Sequence, residues 1–105
     1  MKPFVHLHTH STHSYKDGFG TPEEIAIAAQ ENGFKAMALT DHGNVNGAVG
    51  FYFACKDKGI KPILGVEAYV VPDMHGRGGA FKKSHHVTLL AKSSKGWANI
   101  CTLLT

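Results

Sequence analysis

Cysteine is scarce in this 105-residue chain: Cys55 and Cys101 are its two thiols, far apart and outside any CxxC spacing. Both fall in helix-like segments, so buried free thiols are expected rather than a disulfide or a zinc role. Charge is also thin, at 18% of residues with a formal net charge of +3, too weak alone to argue for nucleic-acid binding. Long apolar runs are missing. The opening MKPFVHLHTH turns polar after five residues, which reads as neither a membrane span nor a signal peptide. A reduced, cytoplasmic setting is therefore expected. With 43% hydrophobic residues and no biased tract, the chain has the composition of one globular domain, or part of one, with a small core.

Histidine is plentiful. Four of the eight histidines, His6, His8, His10 and His13, lie in HLHTHSTHSYKDG at residues 6–18, with Asp17 close behind. Histidine at that density is costly if buried without partners, and it raises the question of a metal site.

Periodicity and punctuation supply a skeleton. Phe4, Val5 and Leu7 read as a short buried strand. In TPEE, Thr21 can cap a helix, Pro22 suits its first position and Glu24 completes a capping box; Gly33 supplies the stop. KAMALT is a second strand. A second helix is expected over roughly Val45 to Lys58, with Val45, Ala48, Val49 and Tyr52 on one face. KPILGVEAYVV is a third strand and PDMHGRGGAFKKS a Gly-rich basic loop. HVTLLA is a fourth strand, and SSKGWANICTLLT a final helix with a serine cap. This β-α-β-α-β-loop-β-α order implies an α/β fold of parallel strands with helical crossovers. An open doubly wound sheet and an incomplete (β/α) barrel both fit. A closed barrel needs about 250 residues, so a fragment is expected in the second case.

On that skeleton the polar residues converge. His8 and His10 follow the first strand, Asp41 and His42 of TDHG the second, and Glu67 lies within or just after the third. His85 and His86 open the fourth and fit less neatly, because catalytic groups in parallel α/β folds gather at the carboxyl ends of strands. His8 and His10, two apart in an extended segment, point to one side and can grip one ion. Imidazole with carboxylate suits zinc, manganese or iron. Glu67 could bridge two ions, the arrangement that serves phosphoester hydrolysis. Asp41 could orient a ligand from behind. His6 reads as a buried neighbour, His75 as a loop residue, and His13 stays open. Arg77, Lys82 and Lys83 read as a solvated basic face with a phosphate-facing role as the alternative.

The blocks HLHTH, DG, ALTDHGN, GAVGFYFACKDKGIKPILGVEAYV and HHVTLLAKSSKGWANICTLL also resemble the PHP (polymerase and histidinol phosphatase) domain at the N-terminus of bacterial DNA polymerase III alpha subunits. HxH and TDHG alone would indicate only the wider superfamily; GIKPILGVEAYV and LLAKSSKGWANICTLL favour the polymerase branch. The resemblance implies that residues 1–105 are the N-terminal part of a distorted (β/α)7 barrel carrying up to three divalent ions. It assigns His8, His10, Asp17, His42, Glu67 and His86 as metal ligands, leaves His85 as a neighbour, and keeps His13 as a reserve ligand. The remaining ligands of the pattern, a histidine and a late Asp-x-His pair, would lie beyond Thr105. Implied with it are catalytic roles for Glu67 and Asp41, a 3′–5′ exonuclease or other phosphoesterase activity, and DNA and other replicase subunits as partners. A non-catalytic scaffold docking a proofreading subunit and a histidinol-phosphatase-type enzyme are the alternatives. An unfinished sheet edge would also favour self-association.

Overall fold

The structure, a computed structural model, describes residues 4–14, 18, 20–71 and 85–105. Its elements run α1 (Pro22–Glu31), β1 (Ala36–Leu39), α2 (Ala48–Asp57), β2 (Lys61–Val70), β3 (His85–Leu90) and α3 (Ser94–Leu103). Local chemistry explains their ends. Thr21 Oγ1 accepts from the Glu24 N–H at 3.1 Å, Pro22 opens α1, and Gly33 leaves the helix at φ +74°, where a side chain would be strained. Ser93 caps α3 by accepting from the Gly96 N–H at 3.1 Å. The second helix starts at Ala48 rather than Val45. Asn44 and Val45 are occupied in turns instead: Asn44 Oδ1 accepts from the Asn46 N–H, and the Val45 carbonyl from the Ala48 N–H.

The sheet order is β1-β2-β3, and its direction is mixed. β1 pairs with β2 in parallel, Ala36 opposite Lys61 through Leu39 opposite Leu64. β2 pairs with β3 antiparallel, Gly65 opposite Leu90 through Val70 opposite His85. The expectation of parallel strands throughout is therefore corrected at β3. A parallel return needs a crossover, usually a helix, and the sequence between β2 and β3 offers a Gly-rich loop instead. The described strands form an open three-stranded sheet and close no barrel.

The core lies between the sheet and the first two helices, where Ala26, Ala29, Met37, Leu39, Phe51, Cys55 and Ile60 pack together. On α2 the buried positions are Ala48, Phe51 and Cys55. The face expected from Val45, Ala48, Val49 and Tyr52 is thus rotated: Val49 is 66% exposed and Tyr52 38%. Apolar spacing alone marked a stripe that α1 and the sheet leave uncovered. The opening segment also departs from expectation. Residues 4–8 are exposed and form no regular strand. They run beside β1 through two backbone bonds, Ala38 N–H to His6 O at 2.9 Å and Thr40 N–H to Thr9 O at 2.8 Å. Nothing among the described residues covers their outer side.

Both cysteines are free, Cys55 fully buried and Cys101 half-buried. Burial pushes the Cys55 thiol up from its ordinary 9.0 to about 11, with the nearby Lys58 charge pulling weakly the other way. Iodoacetamide at pH 8 is expected to label Cys101 in the folded chain and Cys55 only after denaturation, read by intact mass. The unfolded thiol ionises near 9 and the folded one near 11, so stability from this group is full below pH 9 and lost on the way to about pH 11.

Candidate metal centre

Three local structures aim side chains at one point. Alternation in the extended opening segment puts His8 and His10 on one side, and both Nε2 atoms lie 2.5 Å from Glu67 Oε2. Past the end of β1 the chain keeps pairing with β2: the Glu67 N–H donates to Asp41 O at 2.9 Å and the Gly43 N–H to Glu67 O at 3.0 Å. That bridge sets His42 beside Glu67, Nε2 to Oε2 at 3.7 Å. β3 supplies the fourth imidazole. Its register places Thr88 opposite Glu67, so His86 is the diagonal neighbour on the same face, and its Nδ1 lies 2.9 Å from Glu67 Oε1.

The antiparallel β3 resolves the poor fit of His85 and His86. A strand running the other way begins where its neighbours end, so its first residues join the rim formed by the ends of β1 and β2. His86 reaches Glu67; His85, one residue away, pairs with Val70 and projects to the other face.

Glu67 is 5% exposed. Burial works to raise its pKa, but hydrogen bonds from His8 and His10, together with the charges of His42 and His8, outweigh it and hold the carboxyl at about 2. Four imidazoles around one buried carboxylate make two overlapping donor sets, His8–His10–Glu67 and His42–Glu67–His86. The donors are nitrogen with one shared carboxylate, which fits zinc, manganese or iron better than calcium. The 3.7 Å between His42 Nε2 and Glu67 Oε2 is close to the ~3.4 Å between two ligands of one tetrahedral zinc. Each set has an inner and an outer histidine: the side chains of His10 and His42 are 18% and 14% exposed, those of His8 and His86 54% and 47%.

Asp41 stands behind this cluster, its carboxylate bonded to Ser11 and Ser14. It is 1% exposed and accepts from the Ser11 N–H at 2.5 Å, Ser11 Oγ at 2.7 Å and Ser14 Oγ at 2.7 Å. Ser14 Oγ in turn accepts from the His42 N–H at 2.9 Å. Asp41 therefore acts on His42 through Ser14 and the loop backbone. His13 is not brought to Glu67; it lines a small cleft with Thr21, Pro22 and Gly47. His6, expected to be buried or to stand behind a ligand, is exposed, with its ring edge-on to Phe4 and Phe34. Asp17, His75, Arg77, Lys82 and Lys83 lie outside the described residues.

Two site residues escaped the sequence reading. Tyr69, two residues past Glu67 on the same face of β2, lays its ring against His42 (centroids 5.7 Å apart, planes at 23°), with its Oη 3.3 Å from His42 Nδ1. The i, i+2 argument applied to His8 and His10 would have found it. Ser14, the link between Asp41 and His42, carries no comparable signal, since a lone serine in a turn is common.

The comparisons with known proteins agree with this geometry. A family model described as the PHP domain matches residues 6–105. The DNA polymerase III subunit alpha of Chlamydia pneumoniae is 42% identical over 103 residues, covering 95% of this chain and 8% of that protein. The proteins of the same name from Helicobacter pylori (strain 26695) and Aquifex aeolicus are each 40% identical, covering 97% and 99% of this chain and 8% and 10% of their own length. The chain thus spans about a tenth of the curated relatives it matches. Among solved structures, an amidohydrolase from Chromobacterium violaceum with bound sulfate and no metal superposes with a TM-score of 0.67 at 28% identity, over 93% of this chain and 32% of its own. A protein from Bifidobacterium adolescentis assigned as a metal-dependent phosphoesterase gives 0.65 at 20% identity, over 96% and 34%, a likeness of fold. With the family model covering all but the first five residues, the chain belongs to the PHP domain family.

Proposed function

We propose that this chain carries the metal-binding part of a phosphoester hydrolase set in a replicative polymerase of the DNA polymerase III alpha type. Removal of 3′-terminal nucleotides from DNA is its reaction. The observation that supports this most is Glu67, one buried carboxylate met by four imidazoles from three separate segments. Divalent ions held there would polarise a phosphoryl oxygen and lower the pKa of water, the chemistry that phosphoester cleavage requires. The protein's part is to hold and orient. His8 and His10 would hold one ion and His42 and His86 another, with Glu67 common to both sets, and Asp41 fixes the His42 loop through Ser14. Asp17 completes the ligand set on the strength of the family resemblance, with His13 in reserve.

Metal content tests the reading directly. After purification without chelators, mass spectrometry of the native chain is expected to find at least one equivalent of zinc, manganese or iron. Glu67→Gln should lose all of it, because both donor sets share that carboxylate. His8→Ala with His10→Ala should lose only part. A metal-free native chain, with circular dichroism showing it folded, would overturn the assignment.

Catalysis is tested in a polymerase carrying this domain. Glu67→Gln is expected to lower release of 3′-nucleotides from single-stranded DNA by at least ~100-fold, the scale on which losing a group that stabilises transition-state charge is felt. Polymerisation should change little. Full metal occupancy with no nuclease activity in the native enzyme would point instead to the scaffold role.

A further inference from the structure

We propose that Tyr69 is a positioning residue for His42, fixing which of its ring nitrogens is offered to a metal ion. This inference rests on the metal-site reading above and adds a residue to it.

A neutral imidazole carries one N–H and one lone pair, and only the nitrogen with the lone pair can ligate. Around Glu67 the histidines fall into two groups. His8, His10 and His86 sit within hydrogen-bond reach of its carboxylate, at 2.5, 2.5 and 2.9 Å. His42 stands off, with Nε2 3.7 Å from Oε2. At that spacing Nε2 and Oε2 leave room for a cation between them. On the other side of the ring, Tyr69 Oη lies 3.3 Å from Nδ1. Accepting from Nδ1–H, the phenol oxygen holds the tautomer in which Nε2 is open toward Glu67 and the ion between them. Metal-bound histidines generally need such a partner on the second nitrogen.

The fold holds Tyr69 there from three sides. Its ring lies against His42 and edge-on to His86, centroids 4.8 Å apart and planes at 81°, its direct cross-strand partner. Beneath it, Gly43 turns at φ +62°, and a Cβ there would come within 3.1 Å of Tyr69 Cε2. The missing side chain of TDHG leaves room for this ring.

The test separates the hydroxyl from the ring. Tyr69→Phe keeps the packing and removes the oxygen; Tyr69→Leu removes both. Nitrogen-15 spectra of the metal-free chain at pH 8 report the tautomer directly. Native His42 is expected to be protonated at Nδ1, and both variants to shift toward the Nε2-protonated form while the signals of His8 and His10 stay in place. With zinc as the probe and a chromophoric chelator as competitor, Tyr69→Phe is expected to weaken one of two binding steps about tenfold, the lower end of what losing such a partner costs. The other step should not change. A His42 tautomer identical in native and Tyr69→Phe chains overturns the inference whether or not zinc binds. Failure of the native chain to bind zinc, with the tautomer shift present, would instead overturn the metal reading and leave Tyr69 its hold on His42.

Discussion

One carboxylate governs this structure. Glu67 sits near the middle of β2, almost wholly out of water, and an unpaired charge in that position would cost several kcal/mol. Each histidine brought to it offsets that cost, and the four arrive on three stretches of chain: His8 and His10 on the opening segment, His42 on the turn after β1 and His86 at the start of β3. The sheet edges therefore meet at this point for an electrostatic reason as well as for packing. Four imidazoles gathered about one buried acid make little sense as a stabilising device, since an apolar cluster of similar volume would do as well. The arrangement makes sense as a donor set for cations, which would satisfy carboxylate and imidazoles together.

A second buried acid makes the first possible. Residues 4–8 of the opening segment are exposed and, among the described residues, the segment meets β1 through two backbone bonds, yet it must deliver His8 and His10 accurately. Asp41 supplies what the missing packing does not. Its three donors come from Ser11 and Ser14, just past the HxH pair, and Ser14 returns a bond to the His42 backbone. Two loops that carry three of the four imidazoles are thereby tied to one fully satisfied buried network, which has the geometric definition that ligands require. The acid next to His42 in TDHG works on the loop, through Ser14, rather than on the ring it precedes.

Much of this was legible in the sequence, for reasons that separate cleanly. The helices announced themselves through Thr21, Pro22 and Ser93, whose capping chemistry is local. His8, His10 and Glu67 were legible because alternation in extended chain is a strict rule, and it needs no knowledge of what lies opposite. What escaped depended on partners distant in the chain. The direction of β3 is set by the connection before it, and reading β-α alternation as a rule carried the parallel expectation one strand too far. The rotated face of α2 has the same origin: spacing shows that a stripe is apolar, while only α1 and the sheet decide that Phe51 and Cys55, rather than Val49 and Tyr52, turn inward. Tyr69 was hidden because an aromatic on a strand usually means core.

The unequal exposure of the four imidazoles carries the argument from binding to access. Each donor set pairs one sheltered histidine, His10 or His42, with one open to solvent, His8 or His86. The sheltered ones are also the ones best fixed, by the Ser11–Asp41–Ser14 network and by Tyr69, so they define where ions sit. A purely structural metal site is closed by its protein ligands, whereas a site that acts on substrate keeps a position open. Among the described residues half of the histidines around Glu67 face solvent, the feature that the proposed hydrolytic role requires.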